Sequence, residues 1–336
     1  QLFLRAVPDK RQYVERGERL MAQNTVEATA ERKPKKQKQK KQKRSQFSGM
    51  SKALVRRETI SAYLFLLPSL VFFVSFVVVP MFICVIYSFM EYGLGGIKGF
   101  AGLDNYIKLF NDPIFHRGFL NTVLIVVVAV PTVTAFSLWV SSAIYKMHSI
   151  PRSFFRCVFY LPVVTGSVAI TVVWKWILDP YNGILNQVAG TSSFDWLGNP
   201  KTAIWFIILI LFTTSIGQPI VLYVSALGNV DQSLVEAAEV DGATKLQAFW
   251  KIKWPQIMPT TLYILVITTI NSFQCFALIQ LLTSGGPNHS TDTIMYYIYY
   301  TAFKLYRYGY GNAMGVILAI MIAVLSAVQF KVTRSD

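Results

Sequence analysis

Charged residues are missing from five long stretches of this chain: no Asp, Glu, Lys or Arg occurs in 59–90, 118–145, 202–230, 254–291 or 308–330. A helix that crosses the hydrocarbon core of a bilayer needs about 20 predominantly apolar residues, and every one of these stretches is long enough. A sixth run, 157–174, is shorter, but Phe154, Phe155, Trp176 and Ile177 extend its apolar character on both sides. The pattern predicts an all-α, polytopic membrane protein with six transmembrane helices.

Short connections rich in Lys and Arg favour the cytoplasmic side, so the segments between spans set an orientation. The second connection carries Lys146, Arg152 and Arg156 with no acid, and Lys331 and Arg334 follow the last span. The first balances Glu91, Asp104 and Asp112 against Lys98, Lys108 and Arg117, and the third sets Asp179 and Asp195 against Lys175 and Lys201. Both termini and the fourth connection are therefore expected in the cytoplasm. The tyrosines from Tyr296 to Tyr310 and the pair Trp174 and Trp176 then fall at the outer boundary, either as an aromatic belt or as a platform for sugar rings.

Composition excludes an ordinary soluble domain. The chain is 53% hydrophobic and 15% charged, against about 25% charged in soluble proteins. Residues 1–57 hold 17 Lys/Arg and five Asp/Glu, whereas 58–336 hold 15 and 12, so most of the net charge of +15 precedes the first span. The run 32–44, RKPKKQKQKKQKR, has no apolar face, and 1–57 reads as a basic cytoplasmic tail, largely disordered. A basic arm can bind nucleic acid. A tether to the lipid bilayer is more economical, at about 1 kcal/mol per Lys or Arg near an anionic leaflet, so no nucleic acid partner is expected. No signal-peptide pattern precedes the first span, and Met21 or Met50 is an alternative start to Gln1. Cys84, Cys157 and Cys275 lie in apolar stretches without a CxxC pair or a neighbouring His, which predicts free, buried thiols and neither metal nor cofactor.

The fourth connection reads EAAEVDGATKLQAFWKIKWPQIMP over 236–259. Glu236, Ala237, Ala238 and Glu239 favour a helix, Asp241-Gly242 signals a turn, and Ala243 to Trp254 suits a second helix ending near Pro255. Glu236 is expected near the start of its helix, where the dipole favours a carboxylate. At Glu236, Ala237, Ala238, Asp241, Gly242 and Ala243, followed by Phe249, Ile252, Pro255 and Pro259, the sequence resembles the permeases of ATP-binding-cassette importers. The resemblance implies the type I importer permease fold over 58–336, with a coupling loop at 228–256 that lies in a cleft of the ATPase subunit. In it Glu236 would bond a basic group on the ATPase, and Gly242 would allow the tight turn. Where the family usually has an Ile-Pro pair, this chain has Val230-Asp231.

Further segments resemble the sugar-importing branch: GLDNYIKLFNDPIF from Gly102 with Asn121-Thr122, WKWILDPYNGILN from Trp174, and LLTSGGPNHST from Leu281 followed by Tyr308-Gly309-Tyr310-Gly311. The resemblance implies a second homologous permease subunit, two ATPase subunits, an extracellular solute-binding protein and a place in a bacterial inner membrane. No Walker-type phosphate loop occurs, so the chain is expected to catalyse nothing itself. A proton- or ion-coupled carrier would need carboxylates or His near the midplane, and the spans have none. Span 4 offers Thr213, Thr214, Ser215 and Gln218, and span 5 offers Asn271, Ser272 and Gln274. Such amides and hydroxyls suit a neutral sugar, or bond neighbouring helices. The segment Asn271 to Cys275 is similar in position to the one that contacts sugar in maltose-type permeases, which points to Gln218, Thr214, Asn271, Ser272, Gln274 and Cys275 as the pathway. A permease for another solute such as a polyol phosphate, or a membrane sensor or scaffold without transport, are the competing readings.

Overall fold

The computed structural model describes residues 52–191 and 193–334; the basic run at 32–44 and the candidate starts lie outside the described residues. The described residues divide into two units, one ending at Val78 and the other starting at Val79. Described in the first are helix α1 (Lys52–Phe73) and a π-helical turn (Val74–Val78). Their large side chains, Phe65 and Phe76 among them, are apolar and exposed, as a lipid environment requires.

The second unit opens with α2 (Val79–Ser88) and a short antiparallel hairpin, β1 (Met90–Gly93) with β2 (Gly96–Phe100). It is otherwise helical: α3 (Asp104–Phe110), α4 (Pro113–Ile144), α5 (Ser149–Val164), α6 (Ser167–Ile177), α7 (Ile184–Ala189), α8 (Ala203–Ser215) and α9 (Gly217–Gly228) come first. There follow α10 (Gln232–Val240), α11 (Lys245–Ala248), a π turn (Phe249–Lys253), α12 (Trp254–Phe273), α13 (Ala277–Leu282), α14 (Ile294–Tyr299), a π turn (Tyr300–Lys304) and α15 (Tyr308–Arg334). Among the described residues four helical segments are long and apolar enough to span a membrane, Arg56–Ser88, Pro113–Ile144, Lys245–Leu282 and Tyr308–Val332, and counting each of two bent pairs as one span brings the number to six.

The bends qualify the expectation of continuous spans. The short run 157–174 is not one helix: α5 and α6 meet at 97°. Pro162 removes a backbone donor near the end of α5, and Thr165 and Gly166 turn extended before α6 starts. α8 and α9 meet at 42°, where Pro219 lacks the N–H that would reach back across the break. A Cβ on Gly217 would collide with the Phe159 carbonyl, so α9 and α5 approach at a distance that only glycine permits.

α4 packs against both α9 and α12. Ser137 and Ser141, four residues apart and fully buried, donate to the carbonyls of Ile216 at 3.3 Å and Ile220 at 3.0 Å. Small residues at that spacing let backbones come close, and their hydroxyls bond the neighbouring helix. Below them Val140, Tyr223, Leu227, Val235, Ala248 and Ile257 form one core cluster, which ties α10 and α11 to the membrane helices.

At the other end of α4, Asp112 caps the helix through Ile114 N at 2.8 Å and accepts the hydroxyls of Tyr297 and Tyr310, each at 2.7 Å. Asn121 donates to the carbonyls of Ser290 and Asp292, and Thr122 accepts Ile294 N. Tyr296, Tyr297 and Tyr310 are accordingly buried and belong to the core, not to a belt; Trp176 remains exposed. The thiols also divide: Cys275 is buried, Cys84 half-buried, and Cys157 exposed, contrary to expectation. α5 has no fully buried residue; its Phe159 packs against the core, while Cys157 faces outward.

Candidate functional site

Two features stand out on the second unit, the α10–α11 loop and a polar face between α9 and α12. The loop is a helix-turn-helix held by its own caps. Asp231 accepts Ser233 N at 3.0 Å and the Ser233 hydroxyl at 2.7 Å. These bonds, the hydroxyl's first, hold the Asp231 carboxyl below its ordinary value. The residue that departs from the family's proline thus starts the helix as an N-cap. Because α10 begins at Gln232, Glu236 sits a full turn inside, and the expected support from the helix dipole does not reach it.

Glu236, Ala237, Glu239 and Asp241 are exposed, and Ala238 and Ala243 are half-buried. Val235, on the opposite face, is buried, a contact worth about 1.5–3 kcal/mol for such a side chain. The helix ends in a Schellman arrangement: Gly242 N bonds the Glu239 carbonyl at 3.1 Å and Ala243 N the Ala238 carbonyl at 2.9 Å. Gly242 takes φ +84°, with nothing within 4 Å of where a Cβ would stand. Backbone conformation therefore requires glycine there, and crowding does not. Thr244 opens the second helix with a capping box to Gln247.

That second helix does not end near Pro255. From Lys245 the chain is helical without interruption to Phe273, and the π turn at 249–253 lies just ahead of Pro255 in the first turn of α12. A missing donor is tolerated in a first turn, and the π turn loosens the backbone in front of it. The loop and the fifth span thus share one continuous helix.

The six candidate pathway residues fall in different places. Gln218 and Asn271 face each other across a cleft of about 20 Å³, with Ser215 and Tyr263 also lining it. That volume admits roughly one water and no sugar ring. Tyr263, Asn271 and Gln274 are exposed along one side of α12 and its C-cap. Among the described residues, the side chains of Gln218, Asn271 and Gln274 make no hydrogen bond. Thr214, by contrast, donates to the Leu211 carbonyl at 2.9 Å and lines a separate apolar pocket of about 370 Å³ with Thr213 and the α5–α6 bend. Ser272 and Cys275 are buried and turn away from the polar face. Tyr263 went unnoticed in the sequence, although its spacing of eight from Asn271 sets both on one side of a helix.

Residues 134–333 match the family described as binding-protein-dependent transport system inner membrane component. The chain is 32% identical over 286 residues to the probable ABC transporter permease protein YurN of Bacillus subtilis, covering 83% of this chain and 97% of that protein. It is 30% identical over 285 residues to the arabinooligosaccharides transport system permease protein AraP of the same species, covering 81% and 88%. A crystal structure of a bacterial alginate ABC transporter, in complex with an alginate pentasaccharide-bound periplasmic protein, contains a chain that matches at TM-score 0.73 and 25% identity. The match covers 84% of this chain and 96% of that one.

Proposed function

Given that the chain belongs to the family of binding-protein-dependent transport system inner membrane components, we propose that it is the permease subunit through which a neutral sugar or oligosaccharide crosses into a bacterial cytoplasm. The observation that carries this reading is the row of uncommitted amides, Gln218, Asn271 and Gln274, on a face with no charged lining residue. An amide both donates and accepts, which matches a polyol hydroxyl and leaves a charged solute without a counter-ion. The arabinooligosaccharides in the name of one relative support the same substrate class.

The cleft is too small to enclose a sugar, so the substrate lies against this face from outside, and a second, similar permease subunit supplies the opposite wall. Glu236, Ala237, Ala238, Asp241, Gly242 and Ala243 present the docking surface for one of two separate ATPase subunits, on the cytoplasmic side with both termini. ATP-driven closure moves α10, and the continuous helix from Lys245 passes the motion to Asn271. An extracellular solute-binding protein delivers the sugar. The test is purification of the tagged chain from its native membrane, followed by ATP-dependent uptake into proteoliposomes of neutral oligosaccharides and of alginate pentasaccharide. Uptake of the neutral sugars supports the reading; uptake of the acidic one alone overturns it.

A further inference from the structure

A second polar site lies beneath the coupling loop, away from Glu236 and from the sugar face. Past the end of α4, Tyr145 is buried, and beside it a cavity of about 280 Å³ is lined by Ser142, Tyr145, Lys146, Glu239, Lys245 and Lys253, among others. Lys253 Nζ donates to Tyr145 Oη at 2.8 Å and stands 5.4 Å from the ring centroid, with Lys146 Nζ 5.9 Å from the same centroid. Three ammonium groups and one carboxylate thus share one cavity. Among the described residues Glu239 makes no ion pair with any of the lysines. The excess of positive charge is uncompensated, and gathering like charges is unfavourable until an anion joins them. The cavity holds several times the roughly 30 Å³ of a single water, enough for a hydrated phosphate group.

The surroundings identify the source of that phosphate. Leu246, next to Lys245, is 69% exposed, and Trp250, one turn on, is 53% exposed, its ring 5.3 Å from that of Trp254. Leu246, Trp250 and Trp254 lie four residues apart on one side of the helix. Tryptophans at such a position mark the headgroup level of a membrane, and the leucine beside them meets the start of an acyl chain. We propose that Lys146, Lys245 and Lys253 bind the phosphate of an anionic phospholipid headgroup, with its chains lying along Leu246 and Trp250. A headgroup there joins the end of α4 to α11 and the π turn, and stiffens the connection through which the loop moves the fifth span.

The experiment titrates the purified full chain, in neutral detergent, with dioleoylphosphatidylglycerol, with dioleoylphosphatidylcholine and with inorganic phosphate, and reads bound species by native mass spectrometry. The parent is expected to bind the anionic lipid about tenfold more tightly than the zwitterionic one. In the variant K146Q/K245Q/K253Q that preference falls several-fold, to the level the basic tail alone supplies, whereas Lys175→Gln with Lys201→Gln leaves it at the parental value. Glu239→Gln strengthens it, a gain that misfolding does not mimic. The basic tail is common to all variants, so differences between them report the cavity. Preference retained in the triple variant overturns the proposal, as does full displacement of the lipid by millimolar inorganic phosphate.

Discussion

At Gly242 the backbone is held at φ +84° while the space around it stays open, so side chains should be tolerated there in the order of their freedom to take positive φ. A non-glycine L-residue in that region costs about 1–2 kcal/mol, and Asn is among the few that visit it routinely. Coupled transport is expected to decline from Gly242 through Gly242→Asn to Gly242→Ala and furthest in Gly242→Val, measured as ATP-dependent uptake at equal protein in the membrane. A series ranked by side-chain volume alone would contradict this reading. Asp112 illustrates a charge held in place by its partners. Burial works against ionisation, but the Tyr297 and Tyr310 hydroxyls and the amides of Ile114 and Phe115 outweigh it, holding the carboxyl below its ordinary range. A depressed folded value means that its stabilisation is present above the unfolded value of about 3.9 and is lost as pH falls through the folded one. Asp112→Asn should lower the melting temperature at pH 7 and reduce the loss of stability on acidification. Identical pH–stability curves for parent and variant would show that these bonds do not hold α4 to α14 and α15.

At the scale of elements, the contact between α4 and α9 rests on Ser137 and Ser141. Replacing either with Ala removes a hydroxyl bond worth about 0.6 kcal/mol in membrane helices. Ser141→Leu also forces bulk into a packed site, at about 1–3 kcal/mol. Thermal unfolding in detergent should therefore rank parent, Ser141→Ala and Ser141→Leu in that order, and equal midpoints for all three would remove this contact from the account. The five long uncharged runs, with the shorter 157–174, were enough to count the spans, because hydrocarbon excludes charge. They do not record direction. The 97° break at Thr165–Gly166 left its trace only in Pro162 and Gly166, which a count of apolar residues passes over. The turn at Gly242 was legible from Asp241-Gly242, since turn chemistry is local. The caps at Asp231 and Thr244 and the passage of the helix through Pro255 were not, because they depend on where neighbouring hydrogen bonds begin. Burial of Tyr297 and Tyr310 was hidden for another reason: their partner, Asp112, lies 185 and 198 residues away.

Across the whole molecule, one continuous helix, Lys245–Phe273, runs from the exposed loop to the polar face at Asn271. The two ends make separable claims. Gln218→Ala and Asn271→Ala should weaken apparent sugar affinity about tenfold, the loss of one or two hydrogen bonds at roughly 0.5–1.5 kcal/mol each, with ATPase assembly unchanged. Thr214→Val should leave affinity near parental, since that hydroxyl is committed to its own helix. Equal effects from Thr214 and Asn271 would mean that the sugar face is wrongly drawn. The central claim is that α10 couples ATP hydrolysis to transport. The most direct measurement compares parent and Glu236→Lys in proteoliposomes holding the complete importer, recording ATP-dependent uptake together with the amount of ATPase retained on purification. The account predicts normal insertion of the variant chain, weakened retention of the ATPase and no uptake. Parental retention with parental uptake would contradict it.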